Sequence, residues 1–491
     1  MNINAAKFTY LISEREVPSF ANHYSCEGLS MVINYTKETE LITAKKDTKE
    51  IAIIGLCIDS HAIIDRNCIP KTLLSIEGSA IDIYNYCNRF AGKYIVFYCD
   101  GVDSFLWGDA TASIQMNYCE DAKYPICIAS TDKLIADYLK LQVSESSKRI
   151  RMGASLKQAL PWNITMYDEI KALLPNHILS ISNRRTTRVP LNIISLKNED
   201  DLICVAEQSQ EIILNIVKEY SKYYEIICPL TSGYDSRVVF SFLKKEKANT
   251  QCYTLKHKKF TEETGDLFVP KNICNHYEQP YTVIPDIEAP RDEIDRVKAL
   301  AGDFHEKSTV DMAYTYNSVF KGLALVNGDI IDQIGKSHIG NAIPNCLASP
   351  SYFQCKLHNN ATGVKQMLKK QIKEMHNSND RKYVFDLFAM ENRCGRWAVQ
   401  GATIYSICGI TSLNIFNCRE LIRKWISIPR KYRSLYWLHK KLLLLNDKEL
   451  LSFPFNPTDK FRFAYKNWFL FYIFTYIKQV GFVVKKRLMH R

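Results

Sequence analysis

The chain has 491 residues, 46% hydrophobic, 24% charged and 12% aromatic, with 64 Lys+Arg against 52 Asp+Glu and a net charge of +12. That length exceeds one ordinary core and supplies apolar residues for two, which excludes a small disulfide scaffold and a disordered chain. The 16 cysteines form no Cys-x-x-Cys pair, which argues against zinc and for reduced thiols, and the dispersed Lys and Arg read as a solvated surface, with no nucleic acid expected as partner.

The polar, basic run Asn183 to Arg188 precedes a domain boundary near Pro190 to Asp201, after which Ile212, Ile213, Ile216 and Val217 recur at helical spacing. Tyr224 to Cys228 predicts a buried strand. Val238, Val239, Phe242 and Leu243 predict a helix ending in Lys244, Lys245 and Lys247, where cations favour its C-terminus. Between strand and helix lie Leu230, Thr231, Ser232, Gly233, Tyr234, Asp235 and Ser236. Gly233 permits a tight turn, Thr231, Ser232 and Ser236 offer hydroxyls, and the free N–H groups of a helix start face an anion, so pyrophosphate suits the loop. An ordinary strand-turn-helix junction is the competing reading.

Thr250 to Leu255, Pro280 to Ile284 and Leu323 to Val326 predict further strands separated by helices. Such repeated units predict a doubly wound parallel sheet. The last of these strands runs into Asn327-Gly328-Asp329-Ile330-Ile331-Asp332-Gln333-Ile334-Gly335. Both loops thus follow strand carboxyl ends, where open α/β sheets bind ligands. Asp235 and Asp332 could share Mg²⁺, which is commonly held by one or two carboxylates plus substrate phosphates. Helix capping is the alternative for Asp332.

The first loop resembles the PP-loop of ATP pyrophosphatases, Ser-Gly-Gly-x-Asp-Ser, as used by the asparagine synthetase family. Thr231 keeps a hydroxyl, Ser232 replaces the first Gly, and Gly233, Asp235 and Ser236 agree. The second loop resembles the family's Gly-Glu-Gly-Ser-Asp-Glu, keeping Gly328, an acid at Asp329, and Asp332, with Ile330 and Gln333 substituted. The resemblance implies ATP contacts at Leu230, Thr231, Ser232, Gly233, Asp235, Ser236, Leu255, Gly328 and Asp329, with Mg²⁺ on Asp235 and Asp332. It also implies a catalytic Lys460 that stabilises an acyl-adenylate, against the alternative of a solvated loop lysine.

The same resemblance implies a degenerate glutamine amidotransferase-like domain over 1–195, an Ntn-like αββα sandwich, and a PP-loop synthetase domain over 200–491. Ala91 to Cys99, Leu106 to Ala110 and Ile128 to Lys133 follow that first domain's strand order. Ile170 to Leu174 and Pro175-Asn176-His177-Ile178-Leu179 resemble its closing Leu-Pro-Pro-Gly-His segment. Glutamine-hydrolysing relatives carry a Cys after the initiator Met. Asn2 stands there, so glutaminase activity is expected to be absent, as in members resembling β-lactam synthetases and lasso-peptide cyclases. The implied activity is ATP-dependent, AMP-forming amide ligation of a carboxylate to ammonia or an amine. The substitutions leave a catalytically inactive binding or scaffold protein as the alternative.

Met390 to Trp397 resembles the Arg-rich helix lining the family's cleft, with structural packing as the alternative. Pro270 is expected to disturb the helix after the second strand, next to the adenine pocket. Ala464 to Lys478 is strongly aromatic and is followed by Lys485, Lys486, Arg487, His490 and Arg491, with only eleven residues between Lys466 and Lys478. That is too short to span a bilayer. A core helix is the expectation, and an interfacial helix making peripheral membrane contact the alternative. The N-terminus shows no charged-then-apolar signal, so a cytoplasmic protein is expected.

Overall fold

The computed structural model describes residues 3–26, 31–154, 160–257, 259–303, 305–341, 343–377, 380–457 and 468–488. Among these, the strands before residue 190 are β1 (Tyr10–Ser13), β2 (Asn22–Cys26), β3 (Met31–Tyr35), β4 (Leu41–Lys46), β5 (Lys49–Asp59) and β6 (Phe90–Cys99). They continue with β7 (Ser104–Gly108), β8 (Asn117–Cys119), β9 (Ile128–Ala129), β10 (Ile170–Ala172), β11 (His177–Ser180) and β12 (Arg185–Arg188). They form two sheets in the orders β10-β8-β9-β1-β3-β2 and β12-β11-β7-β6-β5-β4, with antiparallel neighbours. The two sheets pack face to face, Tyr10, Ile12 and Ile33 of the first meeting Ile54, Ile95, Phe97 and Leu106 of the second.

Helices Ile69–Leu74 and Ala80–Tyr86 cover the outer face of the second sheet, through Leu73, Ile83 and Tyr84 against Ile53, Val96 and Trp107. The Asp132–Leu139 helix covers the first with Ile135 and Ala136. The layers therefore run helix, sheet, sheet, helix. One local expectation needs correction. Asp132 and Lys133 belong to a helix because the Thr131 hydroxyl accepts from Leu134 N and caps it. Arg185 to Arg188 is an edge strand paired with β11, its Thr-Thr centre suiting a pleated surface; Arg185 stays exposed, while Arg188 turns inward to an ion pair with the buried Glu391.

The Glu199–Ser221 helix opens the second part, with Asn198 and Asp201 forming a capping box. Its face Leu202, Val205, Ile212, Ile213, Ile216, Val217 and Tyr220 is buried, each large side chain contributing about 1.5–3 kcal/mol. Five parallel strands follow: β13 (Ile226–Pro229), β14 (Thr250–Lys256), β15 (Tyr281–Pro285), β16 (Ala324–Asn327) and β17 (Thr411–Asn414), in the order β15-β14-β13-β16-β17. The chain moves outward from β13 to β15 and then returns to the other side of β13. The strand order reverses between β13 and β16, and a ligand crevice opens at such a point.

The Gly265–His276 helix contains Pro270 without interruption. Pro270 is the sixth of twelve residues, where proline forfeits the bond its own N–H would make, and burial of Pro270 and Val269 holds the turn in place. The two parts of the chain are joined by polar contacts: Asn417 Nδ2 donates to Gly92 O at 2.7 Å, Lys93 Nζ to Ser406 Oγ at 3.0 Å, and Arg419 Nη2 to Gly108 O at 3.0 Å. Burial between them pulls the Lys93 ammonium down to about 7.

Candidate active site

The first loop leaves β13 at Pro229 and enters the Tyr234–Lys245 helix, for which Gly233 is the N-cap residue without any side-chain cap. The first N–H groups of a helix have no intrahelical partner. Those of Tyr234, Asp235 and Ser236 are the donors this geometry offers an anion. The N–H groups before them are already engaged inside the loop: Thr231 N donates to Ser236 Oγ at 3.1 Å, Gly233 N to Thr231 Oγ1 at 3.2 Å, and Ser232 N to Asp266 Oδ1 at 2.8 Å. Asp266 also accepts from Ser232 Oγ at 2.7 Å. The hydroxyl that distinguishes Ser232 from the family's glycine is thus held by a carboxylate. Leu230 is fully buried, its N–H donating to Tyr253 O and its carbonyl accepting from Thr254 Oγ1, so it shapes the loop and presents no side chain to a ligand.

Gly233 has φ −78° and ψ 176°, which any residue adopts, and a Cβ there would lie 3.4 Å from Thr231 Oγ1 and 3.7 Å from Asn456 Oδ1. The tight turn that Gly233 would permit is not adopted, and the protein itself has room for a methyl group. Gly233→Ala should therefore fold with stability unchanged within about 0.5 kcal/mol. If a phosphate sits over the helix start, the methyl obstructs its approach and ATP affinity should fall by about tenfold or more, roughly 1.4 kcal/mol. A nucleotide titration alongside a thermal melt checks both, and undiminished affinity would place Gly233 outside the site.

The second loop continues from β16 into a π-helical turn, Ile331–Gly335. It lies directly against the first: a Cβ on Gly328 would meet Val239 Cγ2 at 3.2 Å and the backbone oxygen of Asp235 at 3.3 Å. Close approach of two backbones is the reason for glycine at 328. Asp235 Oδ1 faces His439 Nε2 at 2.8 Å. Because a carboxylate only accepts, Nε2 carries the proton. His439 is fully buried, with its Nδ1 unpaired. It serves to aim the carboxylate.

Asp332 accepts from Gln333 Nε2 at 2.7 Å, with His338 Nδ1 at 3.4 Å and Lys336 Nζ at 3.7 Å. Burial alone would raise its carboxyl, but His338, Lys336 and His439 outweigh burial and hold it below the usual range. Gln333, where the family has Glu, thereby supplies a donor in place of another negative charge. Lys336 faces both carboxylates. Burial would lower its ammonium, and Tyr436, Asp332 and Asp235 raise it instead.

Asp329 behaves differently. It lines a cavity of about 220 Å³ with Glu306, Thr309, Trp397, Gln400 and Tyr405, and a smaller one of about 60 Å³ with Lys93, Asn327 and Asn417. Its side chain is exposed into these spaces, with protein packed around its base. Burial, with Asp332 and Asp235 nearby, pushes its carboxyl up to about 6, against the opposing pull of Arg393. Arg393 belongs to the π-helix Ala389–Ala398 and lies over Trp397 at 4.2 Å. Arg396 of that helix instead donates to the carbonyls of Leu160 and Ile164, at 3.2 and 2.5 Å, and is structural.

A stack of side chains closes the other wall. Arg237 lies 3.6 Å over Phe455, which stacks on Tyr234 at 3.8 Å, which stacks on Tyr436 at 4.4 Å, with Lys336 Nζ 4.6 Å above that ring. Arg237 donates to the carbonyls of Leu450, Phe453, Pro454 and Ser232, and Asn456 N donates to Ser232 O at 3.2 Å. The segment through Pro457 is so tied to the first loop. Lys460 lies outside the described residues, as does Asn2. Leu255 stands near the carboxyl end of β14, two residues beyond Tyr253, the register partner of Pro229.

The donor set fits a magnesium nucleotide: hard carboxylate oxygens at Asp235 and Asp332, uncapped helix N–H groups, and a glycine whose Cβ position is open. Among the described residues no group of three or more His, Cys, Asp and Glu is arranged as a self-sufficient metal site. Mg²⁺ completed by phosphate oxygens needs none. Sequence reasoning missed His439, Lys336, Tyr436 and Phe455. Lys336 had a local signal, its i,i+4 spacing from Asp332; the others had none. No protein-family model matches the chain, and no curated protein matches it.

Proposed function

We propose that this chain is an ATP-dependent, AMP-forming amide ligase, resembling the asparagine synthetase family, with an Ntn-like sandwich joined to a PP-loop pyrophosphatase domain. One observation carries the reading. Two loops that resemble that family's signatures, far apart in sequence, abut through Gly328 and Asp235 at the place where the strand order reverses.

In this reading the N–H groups of Tyr234, Asp235 and Ser236, with the hydroxyls of Thr231 and Ser236, hold the pyrophosphate portion of ATP. Asp235 and Asp332 would hold Mg²⁺, whose chemistry is to neutralise phosphate charge. A substrate carboxylate oxygen attacks the α-phosphorus, and pyrophosphate departs. An amine nitrogen then attacks the acyl carbon, AMP leaves with the bonding electrons, and the amine loses a proton. Asp329, pushed up to about 6, is suited to accept that proton near neutrality. Lys336 offsets negative charge beside the two loops, and Lys460 is assigned to the acyl-adenylate on the resemblance alone.

The first loop has no Walker lysine, so pyrophosphate and not a γ-phosphoryl group is the expected leaving unit. Incubation with ATP, Mg²⁺ and candidate carboxylates should give AMP, and hydroxylamine should trap the acyl group as a hydroxamate. ADP with inorganic phosphate would overturn the mechanism. A second reading, a binding or scaffold protein without catalysis, is favoured by the Asp266 carboxylate holding both donors of Ser232. Nucleotide binding without any pyrophosphate exchange would select it.

A further inference from the structure

The Trp468–Leu488 helix does not take the place expected of a core helix. Phe471 is buried and the helix rests against the Pro350–Lys356 helix, yet Phe469, Ile473, Tyr476, Ile477, Val480 and Val484 are all exposed, Phe469 and Ile477 by 68% and 60%. At 100° per residue these six fall on one arc of about 100°, which the exposed Leu470 and Phe474 widen to about 160°. The aromatic content that suggested a core therefore forms a continuous apolar stripe in water. Stripes of this extent on a protein surface mark interaction sites.

The sequence says what covers it. From Lys460 to Arg491 the chain carries eight Lys and Arg and not one Asp or Glu, and seven of the 21 helix residues are aromatic. No helix among the described residues is long and apolar enough to cross a membrane. An amphipathic helix with aromatic and aliphatic residues on one side and only positive charge along it lies in the headgroup region of an anionic bilayer, its rings at the water boundary. A protein partner would need an acidic rim and an apolar groove together; a lipid surface supplies both at once.

We propose that this helix docks the protein, in the membrane plane, on a surface rich in anionic lipid. The inference is independent of the ligase reading. In flotation with phosphatidylcholine vesicles, the full chain should rise only when phosphatidylglycerol is included, and less as salt is added. Ile473→Glu with Ile477→Glu should reduce flotation by about tenfold or more, because two charges then enter the apolar stripe. Both positions are exposed, so the thermal transition should be unchanged, which separates lost docking from lost folding. Failure of the unaltered chain to float, or equal flotation with neutral vesicles, overturns the proposal. So does a dimer that the double substitution dissociates while vesicles bind neither form, which would assign the stripe to a second copy of this chain.

Discussion

Asp235→Asn should lower AMP formation by about 10²–10³-fold, roughly 2.7–4 kcal/mol of barrier, the size typical of losing one group that stabilises charge in a transition state. The asparagine keeps an Oδ1 acceptor for His439 Nε2, now at 2.8 Å from the carboxylate, so the local geometry is retained and only the charge is removed. Asp235 lies in the first turn of its helix and is one-third exposed. Loss of its favourable interaction with the helix dipole costs about 0.3–1 kcal/mol of stability, far less than the catalytic effect. Mg²⁺-dependent ATP binding should weaken in parallel while Mg²⁺-independent binding changes little. A variant retaining more than about a tenth of the activity, within 1.4 kcal/mol, would remove Asp235 from the catalytic centre.

Asp386→Ala should be the most destabilising of these substitutions, by about 3–5 kcal/mol, because it strands a buried guanidinium. Arg433 and Asp386 are 1% and 2% exposed and are joined by two hydrogen bonds of 2.7 and 3.0 Å. Arg433 also donates to Ile428 O at 2.8 Å and to Ile334 O at 2.7 Å. The second of these carbonyls lies in the π-helical turn that carries Asp332 and Gln333, so the pair braces the second loop from behind. A chain with two packed parts does not unfold as one two-state unit. Hydrogen exchange at Lys336, Ser337 and neighbouring amides, read beside a thermal melt, resolves the local effect. Exchange there should accelerate strongly, and ATP affinity should fall with it. A destabilisation below about 1 kcal/mol would show that the guanidinium finds water or another acceptor.

Asp235 and Asp386 act at different layers of the site, and the contrast follows from where each contact lies in the chain. Strands β13, β14, β15 and β16 were legible within a residue or two as short apolar runs, and the helix after the first loop was legible from Val238, Val239, Phe242 and Leu243. Such patterns are local: a buried strand or an amphipathic helix must place its apolar residues at the period of its own backbone. Both loops were legible for the same reason, being short contiguous runs at strand ends. The short Lys466-to-Lys478 interval suggests a core helix, and there the expectation failed: the helix runs over Trp468–Leu488 with much of its apolar surface exposed, and no helix among the described residues is long and apolar enough to cross a membrane. A helix of aromatic residues looks alike in sequence whether it is covered or not.

Sequence by itself determined the strand-loop-helix units, the acids on the two loops and the charge of the C-terminal segment, since each is a property of neighbouring residues. Only the tertiary structure decided what those residues meet. His439 reaches Asp235 across 204 positions, and Arg237 reaches Leu450, Phe453 and Pro454 across more than 200. Ser232 spends its donors on Asp266, 34 residues away. No backbone period links such partners; the order β15-β14-β13-β16-β17 and the packing of the 430–457 segment on the first loop bring them together. The identity of a carboxylate is written in the chain, whereas its charge state and aim are set by cations and donors that arrive only when distant segments exclude water around it.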